Sequence, residues 1–253
     1  MRSNENLKKK LAKGEIVIGT WCEIPSPEVI NIVAKAGLDF VIIDMEHGAM
    51  DFHLAGNMVI AAEAEGCFPL IRVARNDESD ILRALETSAE GIIVPHVETI
   101  EDRNKTVRYA KFSPIGDRSL NPYTRAGGYR SSKDFTTIQN ENSFIGLIIE
   151  GKAGIQHIDD IINDEQVDLV YVGTYDISSM LGIPGDTKNP LVFDTLAKIT
   201  NRAKAKKKAV GCLFHDGKEL AMFRNIGIQF LCYKVDTSII YDTIHTIIRE
   251  THV

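Results

Sequence analysis

The 253-residue chain carries 29 Lys and Arg against 35 Asp and Glu, a formal net charge of −6, and an acidic surplus excludes the basic face that a nucleic-acid protein needs. A hydrophobic share of 44% with 25% charged residues excludes a disordered chain. A mean hydropathy of −0.08, with no apolar run near the roughly 18 residues of a membrane span, excludes a transmembrane protein.

The predicted elements begin with a polar helix over Asn4–Lys13, read as an N-terminal lid with no signal peptide. Strand Val17–Trp21 follows, then helix Pro27–Gly37, which opens on a Ser26-Pro27 cap and closes on glycine. The alternation continues with strand Phe40–Asp44, helix Leu54–Gly66, strand Pro69–Val73, helix Glu78–Thr87, strand Gly91–Pro95 and helix Ile100–Phe112. After a long Gly-, Arg- and Ser-rich connection, Ser113–Asn142, come strand Phe144–Glu150, helix Ala153–Asn163 and strand Val167–Gly173. A second long connection, Ile177–Pro190, leads to helix Phe193–Lys207, strand Ala209–Phe214, helix Lys218–Asn225, strand Ile228–Tyr233 and helix Thr237–Thr251. The strands are rich in Ile, Val and Leu without alternation, as in a parallel sheet covered on both faces. Eight βα units in this length predict a single-domain (β/α)8 TIM barrel over residues 1–253, with a doubly wound open sheet as the rival. Cys22, Cys67, Cys212 and Cys232 lie in or beside these apolar runs without CxxC spacing, which predicts buried, reduced thiols in a cytoplasmic protein.

Active sites of this barrel class sit at the C-terminal ends of the strands. There the sequence places Asp44-Met45-Glu46-His47, Arg72, His96, Glu150, Gly173-Thr174-Tyr175-Asp176, His215-Asp216 and Lys234-Val235-Asp236. Glu150 and Asp176 end adjacent strands. Two such carboxylates repel unless a proton or a cation lies between them, and oxygen ligands suit Mg2+ or Mn2+; capping a helix or pairing with arginine is the other reading. His47, three residues after Asp44, reads as a general base oriented by that carboxylate, or as an exposed turn histidine. Arg72 on a buried strand needs an anion, either a structural carboxylate or that of a substrate. No GxGxxG follows the first strand and no Gly-x-Ser-x-Gly turn occurs.

The segments Ile18-Gly19-Thr20-Trp21, Ile43-Asp44-Met45-Glu46-His47-Gly48, Pro69-Leu70-Ile71-Arg72-Val73, Ile93-Val94-Pro95-His96-Val97, Gly116-Asp117-Arg118-Ser119, Ile148-Ile149-Glu150, Val172 to Ser178 and Val235-Asp236-Thr237 together resemble the HpcH/HpaI aldolase family. These are the class II, metal-dependent 2-oxo-acid aldolases of the phosphoenolpyruvate/pyruvate barrel superfamily. The resemblance implies Glu150 and Asp176 as ligands of a divalent ion (Mg2+, Mn2+ or Co2+), and His47 with Asp44 as the acid/base pair. It implies Arg72 at the 2-oxo oxygen, backbone N–H groups around Gly173, Thr174 and Tyr175 at the pyruvate carboxylate, and Trp21 beside the substrate. Glu86 stands where relatives carry an Asp that reaches a neighbouring subunit's site. The implied reaction is reversible cleavage of a 2-oxo-4-hydroxy acid to pyruvate and an aldehyde through a metal-stabilised enolate. The partners implied are small molecules and further copies of the chain, in dimers that exchange the last helix and group as hexamers. Ile148, Thr174 and Lys234 depart from the family pattern. The alternatives are a malyl- or citryl-CoA type lyase, a Schiff-base aldolase using Lys234, and an inactive barrel kept as a binding or assembly module.

Overall fold

The computed structural model describes residues 6–251. Eight parallel strands close into a barrel in chain order, β1 pairing with β8. They are β1 (Val17–Cys22), β2 (Phe40–Asp44), β3 (Phe68–Arg72), β4 (Gly91–Val94), β5 (Phe144–Ile149), β6 (Leu169–Val172), β7 (Ala209–Phe214) and β8 (Phe230–Val235). The closed ring excludes the open-sheet rival, and each strand lies within two residues of its sequence-based bounds.

The helices between strands are α2 (Pro27–Lys35), α3 (Phe52–Ala64), α4 (Glu78–Glu86), α5 (Ile100–Ala110), α7 (Gly151–Gln156), α8 (Ile158–Ile161), α10 (Pro190–Ala205) and α11 (Gly217–Ile226). Ser26, Asp51, Asp77, Thr99, Asn189 and Asp216 cap six of them with a side-chain oxygen, which satisfies amides that the first turn leaves unpaired. The helix expected over Ala153–Asn163 is split at His157 into α7 and α8. The first long connection contains a helix that its composition hid, α6 (Phe135–Asn142), and α9 (Thr174–Met180) runs from the end of β6 into the second.

Two apolar layers hold the barrel. Between sheet and helices lie Val41, Ile43, Ile71, Val94, Leu147 and their neighbours, including buried Cys22, Cys67 and Cys212. The barrel interior holds Phe40, Phe144, Leu169, Tyr171, Phe230 and Cys232. Phe40 and Phe230 stack at 3.8 Å between centroids, and an added Cβ at Gly19 would collide with the Phe40 ring. All four cysteines are buried free thiols, and burial pushes Cys212 up to about 12, far from the thiolate that reactivity needs. Ile148, one of the departures from the family pattern, is a packed interior residue.

The N-terminal helix α1 (Leu7–Ala12) is not a lid. Leu7 and Leu11 pack with Val17, Phe40, Phe68, Phe144 and Phe230 at the strand starts, so α1 plugs the barrel at the face opposite the mouth. The segment reads from sequence as a polar helix, and its two leucines do not say which end of the barrel they pack against. Asn4, expected to open this helix, lies outside the described residues.

Lys111, just past α5, is fully buried. Its ammonium donates to the carbonyls of Asn140 and Ser143 and to Ser143 Oγ, tying the long connection to α5. Burial lowers its pKa from 10.5 to about 8. A lysine depressed in this way contributes stability that is present above its unfolded value and is lost as pH falls through about 8. From pH 8 to 10.5, the unaltered protein is therefore expected to gain on Lys111→Met by on the order of 3 kcal/mol. Urea midpoints across that range test this, and a gap that does not change with pH would contradict it.

Candidate active site

The β2–β3 register places Asp44 beside Arg72. Asp44 is fully buried, and both its oxygens take the Arg72 fork: Nε at 2.8 Å to Oδ1, and Nη2 to Oδ2. The third guanidinium nitrogen, Nη1, lies 3.1 Å from Glu46 Oε2. The Arg72 guanidinium also lies over the Trp21 ring, 4.5 Å from its centroid, and the Trp21 indole donates to the Tyr171 hydroxyl at 3.0 Å. One cation is thus fixed by two carboxylates and an aromatic face, and such a fork is too well satisfied to swing freely.

The Asp44–His47 dyad does not form. Beyond β2 the chain turns tightly, and Asp44 Oδ1 accepts the backbone N–H of Glu46 at 2.9 Å and of His47 at 3.2 Å. The Asp44 carboxylate caps its own turn and pairs with Arg72, and it makes no hydrogen bond with the His47 ring. The His47 side chain is 63% exposed, with Nε2 4.0 Å from Glu46 Oε2. The three-residue spacing that suggested a dyad is the spacing of a turn.

Glu150 follows β5 directly, and Asp176 lies in the first turn of α9, after β6. Burial is the largest cause raising the Glu150 pKa; His96 opposes it, while Asp176 and Glu46 raise it further. Burial likewise raises Asp176, against backbone N–H groups at Asp176 and Gly151. Gly173 leaves room for this carboxylate: an added Cβ there would collide with Asp176 Oδ2. Thr174 is buried and Tyr175 exposed, so Gly173, Thr174 and Tyr175 form the rim from which Asp176 enters the mouth.

Two half-buried carboxylates whose charges oppose one another fit a hard divalent cation, with water or substrate oxygen completing the shell. Among the described residues no group of three or more His, Cys, Asp or Glu side chains is arranged to hold a metal, so the pair is the donor set on offer.

Two expected site residues sit elsewhere. Trp21 is buried, 5% exposed, and supports Arg72 from below. Glu86 closes α4, which runs from the mouth towards the opposite face, and accepts from Arg118 Nη2 at 3.0 Å; it belongs to no part of its own chain's mouth. Lys234 is bonded to Asp242 at 2.6 Å. That bond raises its pKa, the reverse of what a Schiff-base amine needs. Asp236 accepts the N–H groups of Glu23 and Ile24, both at 3.0 Å, pinning the loop after β1.

Sequence reasoning missed Glu46 and its link to His96. The His96 ring contacts Glu46 Oε1 through Nε2 at 2.9 Å and Glu150 Oε2 through Nδ1 at 2.6 Å. These partners stand on three different strand ends, so no local spacing announces them.

The HpcH/HpaI aldolase/citrate lyase profile matches residues 17–242, spanning every strand and site residue above. The chain belongs to the HpcH/HpaI aldolase/citrate lyase family. Among its relatives is a hydroxypyruvate/pyruvate aldolase of Roseobacter denitrificans, 29% identical over 93% of each chain. Another is a 5-keto-4-deoxy-D-glucarate aldolase of Salmonella paratyphi C, 31% identical over 81% of this chain and 80% of the relative. Among solved structures, citrate synthase SbnG superposes with a TM-score of 0.88 at 32% identity, over 98% of this chain and 97% of the other. The chain is a carbon–carbon lyase of the aldolase type.

Proposed function

We propose that the protein is a divalent-metal-dependent aldolase that reversibly cleaves a 2-oxo-4-hydroxy acid to pyruvate and an aldehyde. The observation that carries this reading is the convergence, at one mouth, of the Glu150–Asp176 carboxylate pair and an Arg72 cation locked by Asp44 and Glu46. Relatives bearing pyruvate aldolase names support the choice of pyruvate as the common product.

Glu150 and Asp176 would hold Mg2+, Mn2+ or Co2+, which when bound supplies Lewis acidity to the oxygens of the 2-oxo acid. Arg72 provides fixed positive charge where the 2-oxo oxygen becomes negative as the C3–C4 bond breaks. Because Asp44, Glu46 and Trp21 already hold it, little reorganisation is needed at that moment. The exposed ring of His47 takes the proton from the C4 hydroxyl and returns it to C3 once the aldehyde has formed, and the first-turn N–H groups around Gly173 to Tyr175 receive the carboxylate. Trp21 acts by holding Arg72.

A lactate-dehydrogenase-coupled screen over hydroxylated 2-oxo acids is expected to show pyruvate release that EDTA abolishes and Mn2+ or Mg2+ restores. Full activity after exhaustive chelation would remove the metal from the mechanism. A second reading, condensation to citrate, is favoured by the 32% identity to citrate synthase SbnG. Citrate formation in place of pyruvate release would select it.

No helix among the described residues is long and apolar enough to cross a membrane. The last helix, α12 (Asp236–Thr251), stands off its own barrel and exposes Ile240, Tyr241, Ile244, Ile247 and Ile248. With Ile24 this face walls an apolar cavity of about 470 Å³. A stripe of this kind is unlike ordinary surface and supports exchange of α12 between subunits, in dimers that group as hexamers. The role of Glu86, far from its own mouth, would then lie at a neighbour's site. Light scattering is expected to give a multimer for the unaltered protein and smaller species for Ile244→Glu. A monomeric unaltered protein would contradict the exchange.

A further inference from the structure

His96 is the side chain that joins the two halves of the mouth. It follows β4 and Pro95, and its φ of +56° lies in the left-handed region, uncommon for residues other than Gly and entered most by Asn, Asp and His. The chain accepts this conformation while continuing its pairing: Val97 N donates to Ile148 O at 3.2 Å, two residues before Glu150. The turn therefore aims the imidazole at two carboxylates, one from the β2 end and one from the β5 end. Nδ1 meets Glu150 Oε2 at 2.6 Å, and Nε2 meets Glu46 Oε1 at 2.9 Å. Glu46 in turn holds Arg72 Nη1 through its other oxygen, at 3.1 Å. One oxygen of Glu150 is thereby occupied, and the other is left for a second partner.

We propose that His96 is a positioning residue, which fixes the Glu150 carboxylate for a divalent cation and couples it through Glu46 to the Arg72 guanidinium. The inference rests on the metal reading of Glu150 and Asp176 above. Its physical content is the orientation of a ligating carboxylate by a close outer contact with an imidazole nitrogen. That contact sets the rotamer before the cation arrives and so lowers the ordering cost of binding. The same bridge keeps the carboxylate and the arginine in one relative placement, so the two oxygens of a 2-oxo acid would meet both centres together.

Two substitutions separate the bond from the backbone. His96→Asn and His96→Gly both suit a positive φ, yet only the asparagine keeps a nitrogen donor near the Nδ1 position facing Glu150. Isothermal titration of Mn2+ into the intact purified protein is expected to show binding weakened about 10- to 100-fold in His96→Gly. His96→Asn is expected to recover most of that loss, with thermal unfolding confirming that both variants fold. Equal weakening in the two variants would overturn the bond as the cause. Mn2+ binding in His96→Gly as tight as in the unaltered protein, or tighter, would overturn the inference and make His96 a competitor of the cation. An unaltered protein that binds no Mn2+ would overturn the metal reading together with this inference, an outcome distinct from the other two.

Discussion

Arg72→Met is expected to lower kcat/KM for 2-oxo-acid cleavage about 10²- to 10³-fold, the effect of removing one preorganised charge from the atom where negative charge develops. The same change leaves Asp44 fully buried with only the N–H groups of Glu46 and His47 for company. Stability should therefore fall by about 3 to 5 kcal/mol, as it does when one member of a buried pair is removed. The two effects can be separated. In Arg72→Met/Asp44→Asn the amide oxygen still caps the turn and no charge is stranded, so much of the stability should return while activity does not. Steady-state kinetics and urea unfolding of the single and double variants check this. A double variant that regained activity along with stability would reduce Arg72 to a structural counter-ion.

Asp176→Asn has the opposite signature. Burial raises the Asp176 pKa, so the ionised side chain is held at a cost near neutral pH. The neutral amide removes that cost and relieves Glu150 of one of the charges that raise it. In EDTA the variant is expected to melt at or above the temperature of the unaltered protein. Mn2+ affinity should nevertheless fall by more than about 100-fold, beyond the range of an outer-shell change, and pyruvate release should fall with it. Stability given up for function at a catalytic mouth is a familiar trade. Undiminished Mn2+ affinity in this variant, measured by titration calorimetry, would dismiss Asp176 as a ligand.

The barrel was legible because its signal is local. Runs such as Phe40–Asp44 and Ala209–Phe214 are continuous apolar strands, their bounds in the structure coincide with those read from sequence, and the Ser26 cap marks a helix start. The strand-end residues could be named for the same reason: a charge that follows an Ile-rich run is conspicuous. Their pairings could not. Asp44 chose Arg72, 28 residues away, over His47, three residues away, because strand register brings distant carbons together while a tight turn points neighbours apart. Glu46 looked like an ordinary acid until β4 brought His96 against it, 50 residues on. α1 read as a lid because a polar helix with two leucines does not say which end of the barrel it packs against. In α12 the stripe was visible, yet its own chain leaves it uncovered.

The seating of α1 bears on how the chain is made. Gln229, just before the last strand, donates its amide to the Leu11 carbonyl at 2.9 Å across a separation of 218 residues, and Phe230 packs beside Leu7 and Leu11. On a ribosome adding about 5 to 20 residues per second, the first helix waits roughly 10 to 45 s for its berth. Until then Leu7 and Leu11 lack the cover of Phe230, and a product truncated before Gln229 would keep that side of the helix exposed.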